Sequence, residues 1–130
     1  MASRKPPRPT DAELAILRVL WERAPSTVRE VQEELNHARR TGYTTVLKLL
    51  QIMTEKGLVH RDEADRAHIY QARLTEEQTQ RQLVRDLLDR AFGGSSQKLV
   101  MQALRARGKP LPPDQLDEIR RLLDELERGD

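Results

Sequence analysis

The first half of the chain contains three segments in which apolar residues recur every three or four positions, the spacing of an amphipathic helix. The apolar positions are Leu14, Leu17, Leu20 and Trp21, then Val28, Val31 and Leu35, then Val46, Leu49, Leu50 and Met53. Residues 10–13 and 27–30 both read Thr-x-x-Glu, a capping box that predicts the start of each of the first two helices. The third helix is expected over about residues 42–56, with Thr41 as its N-cap and Gly57 as its end.

After residue 57 the apolar period changes from helical to that of a strand. Residues 58–61 and 67–72 predict two short strands, and the polar residues 62–66 between them predict the tip of a hairpin. Three helices followed by a hairpin is the element order of a winged helix-turn-helix domain. The expected fold class is therefore mainly α with a small β-hairpin, and the winged helix-turn-helix DNA-binding domain is expected over residues 10–74.

Three more helices are predicted in the remainder of the chain, beginning at Thr75, at Ser95 or Ser96, and after the proline-rich residues 110–113. The apolar positions of the last two are Leu99, Val100, Ala103, Leu104, Leu116, Ile119, Leu122, Leu123 and Leu126. Two short helices cannot cover these stripes completely by packing on each other, whereas a second copy of the chain can. Residues 75–130 are therefore expected to be a helical dimerisation region; the alternative is that they fold back onto their own winged domain.

Composition excludes several classes of function. The chain has no cysteine, which rules out disulfides and thiolate metal sites. The three histidines, His37, His60 and His68, show no metal-ligand spacing, so no metal and no cofactor is expected. No set of residues suggests a nucleophile with its base, which argues against an enzyme. No apolar run approaches the roughly 18 residues that span a bilayer, so we expect a cytoplasmic protein without membrane insertion.

The net charge of +2 conceals one strongly basic segment at the start of the chain. Residues 1–9 contain Arg4, Lys5 and Arg8, no acid, and three prolines. This composition predicts a disordered basic tail, which is either a solvated segment or an accessory contact to nucleic acid.

The third predicted helix is the candidate DNA-recognition helix. At 100° per residue, Thr44, Lys48 and Gln51 project from the face opposite the apolar stripe, and in a helix-turn-helix this face enters the major groove. Arginines before this helix and on the hairpin are expected to contact phosphates, as is the start of the second helix. The candidate DNA-binding residues are Thr27, Arg39, Arg40, Tyr43, Thr44, Thr45, Lys48, Gln51, Arg61 and Arg66. The alternative is a protein-interaction adaptor, because any amphipathic helix has a polar outer face.

Several segments also match a known family in order and spacing. They are Ala12–Leu14 through Leu20 and Trp21, Thr27–Val31, Gly42–Val46, Met53–Val59, the segment around Tyr70, Phe92–Gly94, and Leu99 and Val100. Over about residues 10–126 the chain resembles the penicillinase-repressor family, also called BlaI/MecI/CopY. The resemblance implies a bacterial homodimer that occupies a palindromic operator in double-stranded DNA and represses transcription, for example of antibiotic-resistance or stress genes.

The same resemblance bears on how repression would be relieved. Antibiotic-responsive members of the family are cut in the fifth helix after a membrane sensor protease is activated, and the matching bond here is Gln102–Ala103. The cleaved members have Asn followed by Phe at that bond, so this chain departs from their pattern. Copper-responsive members carry a C-terminal cysteine cluster, which the absence of cysteine excludes here.

Overall fold

The structure, a computed structural model, describes residues 7–63 and 66–129. Within them the chain forms six helices and three short strands. The helices are α1 (Asp11–Arg23), α2 (Val28–Asn36), α3 (Tyr43–Lys56), α4 (Glu76–Ala91), α5 (Ser96–Ala106) and α6 (Pro113–Arg128), and the strands are β1 (Ser26–Thr27), β2 (Val59–Asp62) and β3 (Ile69–Ala72). The chain divides into two compact units, Met1–Asp86 and Leu87–Asp130, and the boundary between them falls inside α4.

The core of the first unit is assembled from the apolar faces of α1, α2 and α3 and from the sheet. Its fully buried members with no measurable exposure are Ile16, Leu20, Val31, Val46, Leu50, Met53 and Tyr70. The predicted apolar stripes of the first three helices therefore meet in one place. Trp21 packs against this core from its edge, and its indole Nε1 donates a hydrogen bond of 3.0 Å to the carbonyl oxygen of Leu74.

The predicted capping boxes are present at both helix starts. The hydroxyl of Thr10 accepts from the amide of Glu13, the Glu13 carboxylate accepts from the amide of Thr10, and the same reciprocal pair joins Thr27 to Glu30. The predicted extent of α3 and its end at Gly57 are confirmed, but the prediction of Thr41 as its N-cap was wrong, because Gly42 is the N-cap and no side chain caps it. Thr41 instead uses its hydroxyl within the preceding turn, where it donates to the carbonyl oxygen of Arg39 at 3.0 Å.

The predicted hairpin is present, with its strands displaced by one or two residues. β2 pairs antiparallel with β3, so that Val59 faces Ala72 and Asp62 faces Ile69. A strand that the sequence did not predict, β1, pairs with the other edge of β3 and gives a three-stranded sheet in the order β1-β3-β2. Because β1 directly precedes α2, it fixes the start of that helix against the end of β3 that lies next to the hairpin loop.

A partly buried ion pair joins the first turn of α1 to the last turn of α3. Lys56 Nζ lies 2.8 and 2.9 Å from the two carboxylate oxygens of Glu13, a residue that is only 2% exposed. α3 then ends at Gly57, whose φ of 81° is in the left-handed region that favours glycine. The C-terminal end of α3 is thus held to α1 by the Glu13–Lys56 ion pair, and the helix stops at the next residue.

The second unit consists of the end of α4 together with α5 and α6. The turn after α4 is closed by a hydrogen bond of 2.9 Å from the amide of Gly94 to the carbonyl of Leu88, and the Ser95 hydroxyl caps α5 by accepting from the amide of Lys98. Neither α5 nor α6 contains a buried residue in the single chain. Among the described helices, none is long and apolar enough to cross a membrane.

Candidate nucleic-acid interface

The outer face of α3 carries the predicted recognition residues in exposed positions. Thr44, Lys48 and Gln51 are exposed, whereas Val46, Leu50 and Met53 on the other side of the helix are completely buried. Thr45 is exposed as well, and Tyr43, the first residue of the helix, is 44% exposed. The polar side chains therefore form one solvent-facing surface on a helix whose orientation is fixed by the core.

The turn between α2 and α3 is held by side-chain amides. The Asn36 Oδ1 atom accepts from the amide of Thr41 at 2.6 Å, and Gln32 Nε2 donates to the carbonyl oxygen of Thr41 at 3.3 Å. Both contacts connect α2 to the segment just before α3. They fix the angle between the two helices, and with it the direction in which the outer face of α3 points.

Basic side chains surround this outer face. Arg39 and Arg40 lie in the turn before α3, and Lys48 lies in its second turn; all three are exposed. None of them forms an ion pair with another residue in the described ranges. Cations without a carboxylate partner are available to bind phosphates.

Thr27 lies at the start of α2 as predicted, but its polar groups are already engaged. Its amide donates to the Glu30 carboxylate at 2.9 Å, and its hydroxyl oxygen accepts from the Glu30 amide at 3.2 Å. Because the capping box uses the Thr27 amide, this amide is not open to a phosphate. The hydroxyl proton of Thr27 is the group still able to donate to a ligand. The hydrogen bond from the Thr27 amide also lowers the pKa of Glu30, which keeps this cap ionised.

The hairpin, or wing, carries one engaged arginine and one without an ion-pair partner. Arg61 Nη2 lies 3.3 Å from Glu63 Oε2, and His68 Nε2 lies 3.4 Å from the other oxygen of the same carboxylate. Arg66, in contrast, is exposed and forms no ion pair with the residues described. A phosphate at the wing thus meets Arg66 directly, whereas Arg61 has to exchange its carboxylate partner.

Two basic residues that the sequence analysis did not select adjoin this surface. Arg29, in the first turn of α2, and His68, at the start of β3, line a cleft together with the predicted residues Thr27, Tyr43 and Arg66. Arg29 is exposed on the turn that faces the wing. Its place two residues after the predicted capping threonine Thr27 was the available signal, because residues in the first turn of a helix lie beside any molecule that the helix start approaches.

Three further predictions concern the basic tail, metal binding and the bond in α5. Arg4 and Lys5 of the basic tail lie outside the described residues, and Arg8 is exposed ahead of α1. In the described residues no group of three His, Cys, Asp or Glu side chains is arranged to hold a metal ion. Gln102 and Ala103 lie in the interior of α5 and are exposed.

The apolar side chains predicted to form a dimer interface are at least partly exposed in the single chain. Leu99, Leu116 and Ile119 are half-buried, and the more exposed members are Val100, Ala103, Leu104, Leu122, Leu123 and Leu126. Leu126 reaches 65% exposure. Apolar surface of this extent on two neighbouring elements is typical of an interaction face.

Sequence comparison finds known proteins that are similar to this chain over nearly its whole length. The family model of the penicillinase repressor matches residues 9–125. The transcriptional regulator BlaI of Mycobacterium tuberculosis is 37% identical over 121 residues, which cover 92% of this chain and 85% of that protein. The penicillinase repressor of Bacillus licheniformis is 23% identical over 122 residues, 94% of each protein.

A solved structure matches more than half of this chain. The DNA-binding domain of the repressor BlaI, determined in solution, superposes with a TM-score of 0.50 at 26% sequence identity, over 57% of this chain and 90% of that domain.

Proposed function

Because the chain belongs to the penicillinase repressor family, whose members are DNA-binding transcriptional repressors rather than enzymes, we propose that it represses transcription as a homodimer bound to a palindromic operator. The observation that carries this proposal is the outer face of α3, where Thr44, Lys48 and Gln51 are exposed opposite a completely buried apolar stripe. Repression then follows from occupancy: a protein seated on the promoter excludes the polymerase and needs no chemistry of its own.

Sequence recognition is assigned to α3. A lysine can donate to the guanine acceptors O6 and N7, a glutamine can bond adenine through both its amide atoms, and a threonine methyl can pack on the methyl of thymine. Lys48 and Gln51 are three positions apart and therefore lie on the same side of the helix. Thr44 stands one turn before Lys48, so the three side chains span about two turns of helix facing one groove.

Affinity is assigned to the basic residues around α3. Arg39 and Arg40 precede the helix, and Arg61 and Arg66 lie on the wing, so phosphates on either side of the major groove have cationic partners. Each phosphate neutralised in this way steepens the dependence of log affinity on log salt by roughly 0.9. We therefore expect a binding constant that falls strongly between 50 and 200 mM salt.

Dimerisation is supported by the apolar surface that α5 and α6 leave uncovered. A second copy would bury the leucines of α6, which gain about 1.5–3 kcal/mol each on full burial. Two recognition helices about one duplex turn apart double the contacts on a palindrome. The domain division that accompanies this proposal is a winged domain over residues 10–74 and a dimerisation region over residues 75–130.

The proposal is tested by selecting duplexes from genomic fragments with the full-length protein and measuring their affinity by fluorescence anisotropy. Lys48→Ala is expected to weaken binding to the selected duplex by roughly 1–3 kcal/mol, because the substitution removes a contact to a base. Lys109→Ala, which removes an equal charge from an exposed position between α5 and α6, serves as the matched control and is expected to bind as the wild type does. Absence of salt-dependent duplex binding by the wild type would refute the proposal in favour of an adaptor that binds protein through α3.

A further inference from the structure

A cleft of about 390 Å³ lies where three elements of the proposed DNA-binding surface meet. The first turn of α2 forms one wall, the first turns of α3 form the second, and the segment from the wing to β3 forms the third. Its volume is within the range of pockets that hold part of a small ligand. The cleft lies wholly within the first unit of the chain.

The cleft combines cationic walls with an apolar floor. The basic lining residues are Arg29, Arg66 and His68, and the floor is formed by Val28, Leu47 and Tyr70. No acidic side chain belongs to the described lining. Neither arginine has an ion-pair partner among the described residues, and the Glu63 contact to His68 comes from outside the lining.

One polar atom of the floor residues lacks a partner. The Tyr70 hydroxyl is buried and makes no hydrogen bond with the described residues. Buried hydroxyls are nearly always paired, with protein or with an ordered molecule.

From this arrangement we propose that the cleft seats one nucleotide unit of the operator backbone, a phosphodiester on Arg29, Arg66 and His68 with its deoxyribose against the apolar floor. Guanidinium groups match the geometry of a phosphate through paired N–H donors, and a sugar ring presents C–H groups to Val28 and Leu47. The site clamps α2 and the wing onto the same strand of DNA. This proposal rests on the proposed function and adds a defined contact to it.

The clamp predicts that two residues far apart in sequence depend on the same phosphate. Arg29 is on α2 and Arg66 is on the wing, so a single neutral methylphosphonate in the duplex would remove the partner of both. Arg39 precedes α3 and does not line the cleft, so its dependence should fall on a different phosphate. Arg39→Gln is therefore the matched control for Arg29→Gln and Arg66→Gln.

The experiment uses the full-length protein and a duplex that it selects, prepared as a series with one methylphosphonate at each backbone position. For the wild type, one position in each half-site is expected to cost about tenfold in affinity. At that position the loss should shrink to less than about twofold in both Arg29→Gln and Arg66→Gln, and should persist in Arg39→Gln. Circular dichroism checks that all three variants fold.

The outcomes separate this inference from the function on which it rests. If the wild type binds duplex but Arg29→Gln and Arg66→Gln suppress losses at different phosphates, or at none, the shared clamp is wrong while repression by DNA binding stands. If the wild type binds no duplex, both fail together. A second experiment titrates inorganic phosphate into the protein without DNA and follows the backbone amide signals by NMR. If the signals of Arg29 and His68 shift, while Arg29→Gln and Arg66→Gln do not suppress the loss at one common methylphosphonate, the cleft is a site for free anions. That result would overturn the assignment to the DNA backbone.

Discussion

At the residue scale, Glu13 has two structural roles in one carboxylate. It closes the capping box of α1 through the amide of Thr10 at 2.9 Å, and it binds Lys56 at the far end of α3. Burial by itself would raise the pKa of this carboxyl, but hydrogen bonds from Lys56 and Thr10 and the charge of Lys56 outweigh burial and hold the pKa below its ordinary value. The carboxylate that caps α1 therefore also links α1 to α3.

Replacing Glu13 with glutamine should cost about 2–4 kcal/mol of unfolding free energy, because Lys56 is left without its counter-charge in a mostly buried place. Urea unfolding at neutral pH measures this as a lower midpoint with an unchanged slope. Glu77→Gln is the control, since its pair with Arg81 spans 3.8 Å between highly exposed side chains and should contribute no more than about 0.5 kcal/mol. Equal losses in the two variants would contradict a special role for Glu13.

The lowered pKa of Glu13 also predicts how stability depends on acid. Since its pKa is lower in the folded than in the unfolded protein, the carboxylate stabilises the fold fully above roughly pH 5, and this contribution is lost as the pH falls through about 4.3 toward the folded pKa. The stability difference between wild type and Glu13→Gln should therefore shrink between pH 5 and pH 3. The lowered pKa of Glu30 acts equally in both proteins and cancels in the difference. A difference that stays constant over this range would exclude the ion pair as its origin.

At the scale of elements, the start of α2 is held from two directions. Its capping box satisfies the helix amide of Glu30 from one side, and the preceding strand β1 pairs with β3 from the other, Ser26 opposite Tyr70. The cap and the strand share Thr27, which belongs to β1 and is the N-cap of α2. Loss of the cap should therefore weaken both elements.

Thr27→Ala is expected to lower the unfolding free energy by about 1–2 kcal/mol, the usual cost of removing a threonine cap. Thr27→Ser keeps the accepting oxygen and should recover most of that loss. Thr45→Ala, at an exposed position inside α3, is the matched threonine-to-alanine control and should change stability by less than about 0.5 kcal/mol. Thermal unfolding of the three variants decides the matter, and a loss shared by Thr45→Ala would point away from capping.

How far the sequence predicts these elements depends on whether the signal is local. Capping boxes and the Gly57 stop are local patterns, so the helix ends at Thr10, Thr27 and Gly57 were predicted correctly. β1 has two residues and no periodicity, and its existence depends on the distant partner β3, so it was missed. Thr41 resembled a cap, but the hydrogen bond from its amide to Asn36 belongs to a turn whose shape the sequence pattern does not encode.

In the candidate interface, too, the features set by local sequence were predictable and those set by contacts between distant segments were not. The outer face of α3 follows from helical period alone, so the exposure of Thr44, Lys48 and Gln51 was predictable. The cleft depends on the folding of α2, α3 and the wing toward one another, so only the place of Arg29 in the first turn of α2 could have marked it, and nothing marked His68 as a member of the same site. The sequence pattern Thr-x-x-Glu already predicts that the Thr27 amide donates to Glu30. That the same amide could not also bind a phosphate was therefore predictable from the sequence.

At the scale of the whole molecule, the two units differ in how completely they bury their apolar residues. The first has a core of side chains with almost no exposure, whereas α5 and α6 have none that is buried in the single chain. The apolar stripe of α6 includes Leu122, Leu123 and Leu126, each more than half exposed. Stable folding of the second unit is therefore expected to depend on association.

The double substitution Leu123→Lys with Leu126→Lys should raise the dissociation constant of the proposed dimer by at least about a hundredfold, because the loss of two apolar side chains from the interface and the introduction of two charges there both oppose association. Sedimentation velocity over a concentration series measures the change. Asp124→Lys places the same new side chain on the polar side of α6 and should leave the association state unaltered. A double variant that still sediments as a dimer would show that this stripe is not the contact surface.

The position of Gln102 and Ala103 within α5 has a consequence for turnover of the protein. Endoproteases bind the backbone of their substrates in extended form, and a peptide bond whose neighbours are all wound into a helix cannot adopt that form until several residues unwind. Any cut at this bond is therefore preceded by local melting, and its rate is limited by the fraction of time for which α5 is open. Any contact that stabilises the helical form of α5, including one with a second subunit, therefore slows cleavage at this bond without blocking a protease directly.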